Sequence, residues 1–182
     1  LWNGDGAGIK VDARILNDEY GKTILKNLKV INNNGTNGSA DNGSCRGGGM
    51  YIEAYVSPNS SYSLSNPAVE VENCIIHNNS AEADWNDAGG IGGGIYSYSD
   101  NARIKISRCQ ITNNYSDRIG GGIYIGGAAN FYLGDEQLPY EIINSTIAYN
   151  RANKYPTSWS NHGTGIHIYG HLDVNLKNSI IF

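Results

Sequence analysis

The sequence predicts an all-β solenoid, a single-stranded parallel β-helix of about four to five coils with three short strands in each, and three observations predict it. Gly and Asn, 24 residues each among 182, are poor helix formers, and no apolar stripe at helical spacing runs for even three turns. A G-x-G triplet followed by alternating apolar residues recurs at Gly6-Ala7-Gly8, Gly47-Gly48-Gly49, Gly92-Gly93-Gly94, Gly120-Gly121-Gly122 and Gly163-Thr164-Gly165. A second motif, strand, polar pivot, strand and Asn, recurs around Asn27, Asn73, Arg108, Asn144 and Asn178, with pivots 46, 35, 36 and 34 residues apart. A period near 35 with one insertion is what stacked repeats leave in a sequence.

Each coil then reads in order. The glycine triplet turns the chain into a first strand whose inward pairs are Ile9 and Val11, Met50 and Ile52, Ile95 and Ser97, Ile123 and Ile125, and Ile166 and Ile168. The strand before the pivot turns two columns inward, Thr23, Val69, Ile104, Tyr140, Val174 and Leu25, Val71, Ile106, Ile142, Leu176. The strand after it turns in Leu28, Cys74, Cys109, Ser145, Ser179 and Val30, Ile76, Ile111, Ile147, Ile181, because strand side chains alternate with period two. Such a coil cannot bury its faces alone, but stacked coils bury them around one axis. Parallel connections favour a right-handed winding.

The pivots are expected to be left-handed bends, which Asn tolerates, with Arg108 the exception. Asn33, Asn79, Asn114 and Asn150, which end the second strands, should stack coil upon coil through their amides. Cys74 and Cys109 share an inward position on consecutive coils, within disulfide reach; in-register side chains point the same way, so stacked buried thiols are the expected state. Segments 34–46, 80–91, 115–119 and 151–162 are expected as loops beside one edge of the glycine-led strand, and 53–66 and 126–138 beside the other. Residues 1–182 should form one β-helix segment of a longer chain. The strand edges at its ends should meet further coils or neighbouring chains, because an uncapped solenoid invites pairing.

Thirteen basic against 17 acidic side chains give a net charge of −4, so no cationic field exists to hold a nucleic acid. No apolar run approaches the length of a membrane-spanning helix.

Ile76-His77-Asn78-Asn79, Ile111-Thr112-Asn113-Asn114 and Ile147-Ala148-Tyr149-Asn150, combined with the glycine-led strands, resemble the repeats of right-handed parallel β-helix proteins of the pectate-lyase-like superfamily. The likeness is greatest to bacterial secreted or cell-surface repeat proteins, including the polymorphic outer membrane protein adhesins, whose repeats often carry Phe where this chain has Ile or Val. The resemblance implies an extracellular or surface location. It also implies a glycan groove on the outward face of the glycine-led strand, although one such fold hosts lyases, hydrolases and adhesins alike.

On that face two ladders are expected: Lys10, Tyr51, Tyr96, Tyr124, His167, and beside it Asp12, Glu53, Tyr98, Gly126, Tyr169. Tyr presents a flat apolar ring with a polar tip, which suits stacking on sugars. Tyr51, Glu53, Tyr96, Tyr98, Tyr124, His167 and Tyr169 are therefore the candidate glycan-binding residues. A glycosidase needs two carboxylates across a groove. Asp84, Asp87, Asp117, Arg118, His162 and His167 read as scattered groups, and no catalytic constellation emerges. Asp84-Trp85-Asn86-Asp87-Ala88-Gly89 has part of a calcium-loop spacing, but Ile95 stands where the closing Glu belongs. No cofactor or metal is expected, with calcium at that loop as the alternative. The expected function is a non-catalytic surface module, a rigid spacer or adhesin presenting a tyrosine-rich face to a polysaccharide or a partner protein. The alternative is a fragment of a lyase or glycoside hydrolase acting on acidic, plant or algal polysaccharide.

Overall fold

The computed structural model describes residues 8–16, 21–37, 45–57, 60, 66–83, 89–128, 140–153, 163–170 and 172–182. Among them every strand pairs in parallel with its equivalents one period away, which is consistent with a parallel β-solenoid. The glycine-led sheet stacks Ile9–Ile15, Met50–Val56, Ile95–Asp100, Ile123–Ala128 and Ile166–Tyr169 in that order. A second sheet stacks Thr23–Lys26, Val69–Glu72, Ile104–Ser107, Tyr140–Ile143 and Val174–Lys177, and a third stacks Lys29–Ile31, Ile75–His77, Gln110–Thr112, Thr146–Ala148 and Ile180–Ile181.

The three-strand coil needs correction. A fourth sheet of Asn34–Asn37, Ser80–Ala83, Tyr115–Ser116 and Arg151–Ala152 occupies the beginning of what reads as loop in the sequence. Strands of two residues carry no readable period, so only their coil-to-coil hydrogen bonds reveal them.

The inward columns meet in one core. Ile52, Ile76, Ile95, Ile104, Ile106, Ile111, Ile123, Ile125, Ile142 and Ile147 are all fully buried. Two departures from apolar character answer each other. Buried Ser97 on the glycine-led sheet and buried Tyr140 on the second sheet share a hydrogen bond between their hydroxyls, 2.9 Å long, as buried polar groups must. The second sheet's outer face is tied across coils by charge. Glu70 lies 2.9 Å from Lys22 and 3.8 Å from Lys105, and Glu141 lies 2.5 Å from Arg103.

All five pivots are left-handed, Arg108 (φ 55°) included, and its guanidinium pairs with Glu72 of the preceding coil. A second left-handed corner precedes each stacking Asn, at Asn32, Asn78, Asn113 and Tyr149. Gly92 (φ 69°) makes the turn into its strand in a conformation that side chains resist.

The asparagine stack forms a continuous amide ladder. Asn114 Oδ1 accepts from the backbone N–H and the Nδ2 of Asn79, both at 3.0 Å, while Asn114 Nδ2 donates to Ile76 O and to Asn150 Oδ1, both at 3.0 Å. Asn114→Ala would strip the acceptor from two buried donors and the donor from a buried carbonyl. At about 1–3 kcal/mol for an orphaned buried group, a loss of about 3 kcal/mol is expected in urea denaturation. Asn33→Ala, at a half-buried terminal rung, should cost about 1 kcal/mol or less; equal losses would mean that the ladder does not act through burial.

Cys45, Cys74 and Cys109 are buried, and none of them is in a disulfide. Cys74 Sγ donates to Glu72 O (3.2 Å) and Cys109 Sγ to Ser107 O (3.2 Å). Ser145 Oγ makes the same bond to Ile143 O (2.9 Å) one coil on, so thiol and hydroxyl serve one structural role in this column. Interaction with the Cys74 thiol of the preceding coil, reinforced by burial, pushes the Cys109 thiol above its usual range.

Candidate functional site

The glycine-led sheet positions the candidate residues. Its register aligns Lys10, Tyr51, Tyr96, Tyr124 and His167 in one outward column, and Asp12, Glu53, Tyr98, Gly126 and Tyr169 in the next. Both ladders are thus where the alternation places them.

Their exposure is not as expected. Tyr51, Tyr96 and Tyr124 are only 5%, 7% and 8% exposed. Their rings stack on one another, with centroids 5.1 and 5.0 Å apart and planes within 7°. His167 continues the pile at 5.5 Å from Tyr124, and the Lys10 ammonium lies 4.9 Å from the Tyr51 centroid at the other end. Each inner ring therefore has both faces occupied, an arrangement that offers no flat surface to a sugar. The flank is covered as well. Ile91 and Ile119 pack against the rings, and the Arg46 guanidinium sits 5.6 Å from the Tyr96 centroid. Arg46, Ile91 and Ile119 bridge one another in parallel, each immediately before a glycine triplet. That recurrent position was the available signal for a second layer. Burial pushes the Tyr124 phenol above its ordinary range, which favours its neutral form.

Accessible surface begins one column over. Glu53 and Tyr98 are half-buried, and Tyr169 is 65% exposed. Glu53 Oε2 accepts the Tyr51 hydroxyl at 2.9 Å, which links the buried column to the open one. A third outward column, which the sequence reading stopped short of, aligns Arg14, Tyr55 and Asp100. The continued alternation Tyr51-Glu53-Tyr55 and Tyr96-Tyr98-Asp100 would have found it. Between the second and third columns lies an open groove of about 190 Å³, lined by Arg14, Leu16, Glu53, Tyr55, Tyr98 and Asp100. A larger groove of about 260 Å³ follows the corners, lined by Asn27, Asn73, Arg108 and Gln110 among others. Its lining has no aromatic ring, and Asn73 Nδ2 is engaged with Asn27 Oδ1 at 2.8 Å. The aromatic groove is the better ligand site, since rings and polar tips converge there.

Asp117 proves to be a clasp rather than a solvated charge. Its Oδ2 accepts the Ala83 N–H at 2.7 Å and its Oδ1 accepts the Gly90 N–H. Burial pushes its carboxyl upward while those amides pull it back. Arg118 is half-buried nearby in sequence. Asp84, Asp87 and His162, with the loop of calcium-like spacing, lie outside the described residues. Among the described residues no group of three or more His, Cys, Asp or Glu side chains converges as a metal site would require, and no helix is long and apolar enough to cross a membrane.

No protein-family model matches the chain, and no curated protein or solved structure matches it either.

Proposed function

We propose that this chain is a non-catalytic module of an extracellular bacterial surface protein, a right-handed β-helix of the pectate-lyase-like kind that acts as a rigid spacer and adhesin. In this reading the buried tyrosine pile stiffens the glycine-led sheet, and the glycan lies in the groove beside it. Tyr55 and Tyr98 supply ring surface, Glu53 and Asp100 accept hydroxyls, and Tyr169 extends the contact along the axis. The observation that carries the reading is the division of labour among adjacent columns. One column is sealed by its own stacking, while its neighbours line an open groove of rings and carboxylates.

A glycan array run beside reducing-end and unsaturated-product assays tests it. Binding without turnover is the expected result, and release of new ends or unsaturated products would instead favour the lyase or hydrolase reading. Tyr55→Ala should weaken glycan binding about tenfold, the worth of one aromatic contact near 1.4 kcal/mol, and leave the melting temperature within about 3 °C. Undiminished binding by Tyr55→Ala would remove the groove from the account.

A further inference from the structure

The corner groove owes its charge to the one pivot that departs from the repeat. Asn fills the left-handed pivots at positions 27, 73, 144 and 178, a conformation it tolerates better than longer side chains, while Arg108 fills the remaining one. Outliers of this kind gather at functional sites. Neutralising Glu72 does not require the arginine, because Lys26 already lies 3.3 Å from that carboxylate. Glu70, the other acid of the strand, is likewise flanked by two cations, Lys22 and Lys105. Lys29, exposed on the groove wall, forms no ion pair among the described residues. At this corner Lys26, Lys29 and Arg108 are therefore set against the single carboxylate of Glu72, and positive charge is in excess.

The donors around that charge suit an anion. Lys29 and Gln110 belong to one outward column with half-buried Ile75 between them, which puts their backbones two coil steps, about 10 Å, apart. Gln110 is exposed and carries a side-chain amide, and Arg108 keeps N–H groups beyond the one given to Glu72. Guanidinium, ammonium and amide together form a donor set for an oxyanion. The groove, at about 260 Å³, has room for more than a bare ion. We infer that it is a second ligand site, which takes a sugar carrying an oxyanion, a sulfate, phosphate or carboxylate group. The site lies away from the glycine-led sheet, so it stands or falls independently of glycan binding in the aromatic groove.

Five probes test it by calorimetry at pH 7 and low salt: a sulfated cello-oligomer, a hexose phosphate, a uronate oligomer, an unsubstituted cello-oligomer and sodium sulfate. At least one of the three acidic sugars should bind about tenfold more tightly than the neutral oligomer and than sodium sulfate, and which one does so identifies the oxyanion. Its affinity should fall as salt is added. Arg108→Asn and Lys29→Gln should each weaken it at least about fivefold, whereas Tyr55→Ala should leave it unchanged. Thermal melting is expected to show both charge variants folded, since the first installs the residue of the other pivots and the second removes no ion pair. If Arg108→Asn unfolds, Lys29→Glu, which reverses the charge, takes its place and should abolish binding. Binding of no acidic sugar, equal binding of the neutral oligomer or of sodium sulfate, or acidic binding that survives the charge variants would overturn the inference and leave the aromatic groove untouched.

Discussion

Gly93→Ala is expected to destabilise the chain by about 4 kcal/mol or more, at the extreme of single substitutions. Gly93 has no left-handed φ to protect; what it protects is space. A Cβ there would lie 2.1 Å from Tyr115 O and 2.6 Å from Gly121 O. Both obstacles are backbone, one in the fourth sheet and one in the next glycine triplet, so neither can swing aside as a flexible side chain would. Relief requires coils to separate and coil-to-coil hydrogen bonds such as Gly93 N–H to Gly120 O, 3.0 Å, to lengthen. Gly165→Ala is the matched control. Its nearest obstacle is the Ile181 side chain at 3.1 Å, and a loss under about 1 kcal/mol is expected, as for an ordinary surface change. Chemical denaturation of the two variants checks the contrast, and similar losses would mean that the triplets serve turning alone.

The second large effect is expected at Tyr96. Its ring is enclosed between Tyr51 and Tyr124 and flanked by Ile91, Ile119 and the Arg46 guanidinium. Truncation to Ala removes a buried aromatic side chain and leaves a cavity that the flat neighbours cannot fill. Large aromatic truncations cost about 3–5 kcal/mol, which in a chain of this size corresponds to a fall in melting temperature of about 10 °C. Tyr96→Phe keeps the stack and should fall by no more than about 3 °C. An unchanged melting temperature in Tyr96→Ala would return the column to the surface, where the sequence alone had placed it.

That reversal marks how far the sequence could be read. The alternation of Ile123-Tyr124-Ile125 assigns Tyr124 to the outward face, and the register confirms it. Period two, however, says which way a side chain points and not what is laid over it. The cover comes from Ile91 and Ile119, whose pairing is non-local and rests on single bridges. The pivots were legible even where Arg108 replaces Asn, because columns from several coils fix the position independently of residue type. The second corner was hidden by Tyr149, an exposed aromatic at φ 57° in a place where Asn stands three times. The asparagine ladder was legible because identical amides recur at one register. The binding groove was only half legible. Glu53 and Tyr98 lie within the first two outward positions of their strands, whereas Arg14, Tyr55 and Asp100 lie at the third, where the repeat had already given way to variable sequence.

Every functional statement depends on residues one period apart lying in columns along a single axis. Spin labels on cysteines introduced at Asp12 and Tyr169, both exposed and both in the second column, measure this directly, since the native thiols are buried. Four coil steps of about 4.8 Å place the two backbones roughly 19 Å apart despite the long sequence separation. Pulsed dipolar spectroscopy should return one narrow distance near that value, widened only by the label arms. A broad distribution, or a peak beyond about 35 Å, far outside four such steps, would contradict the stacked columns and with them the groove.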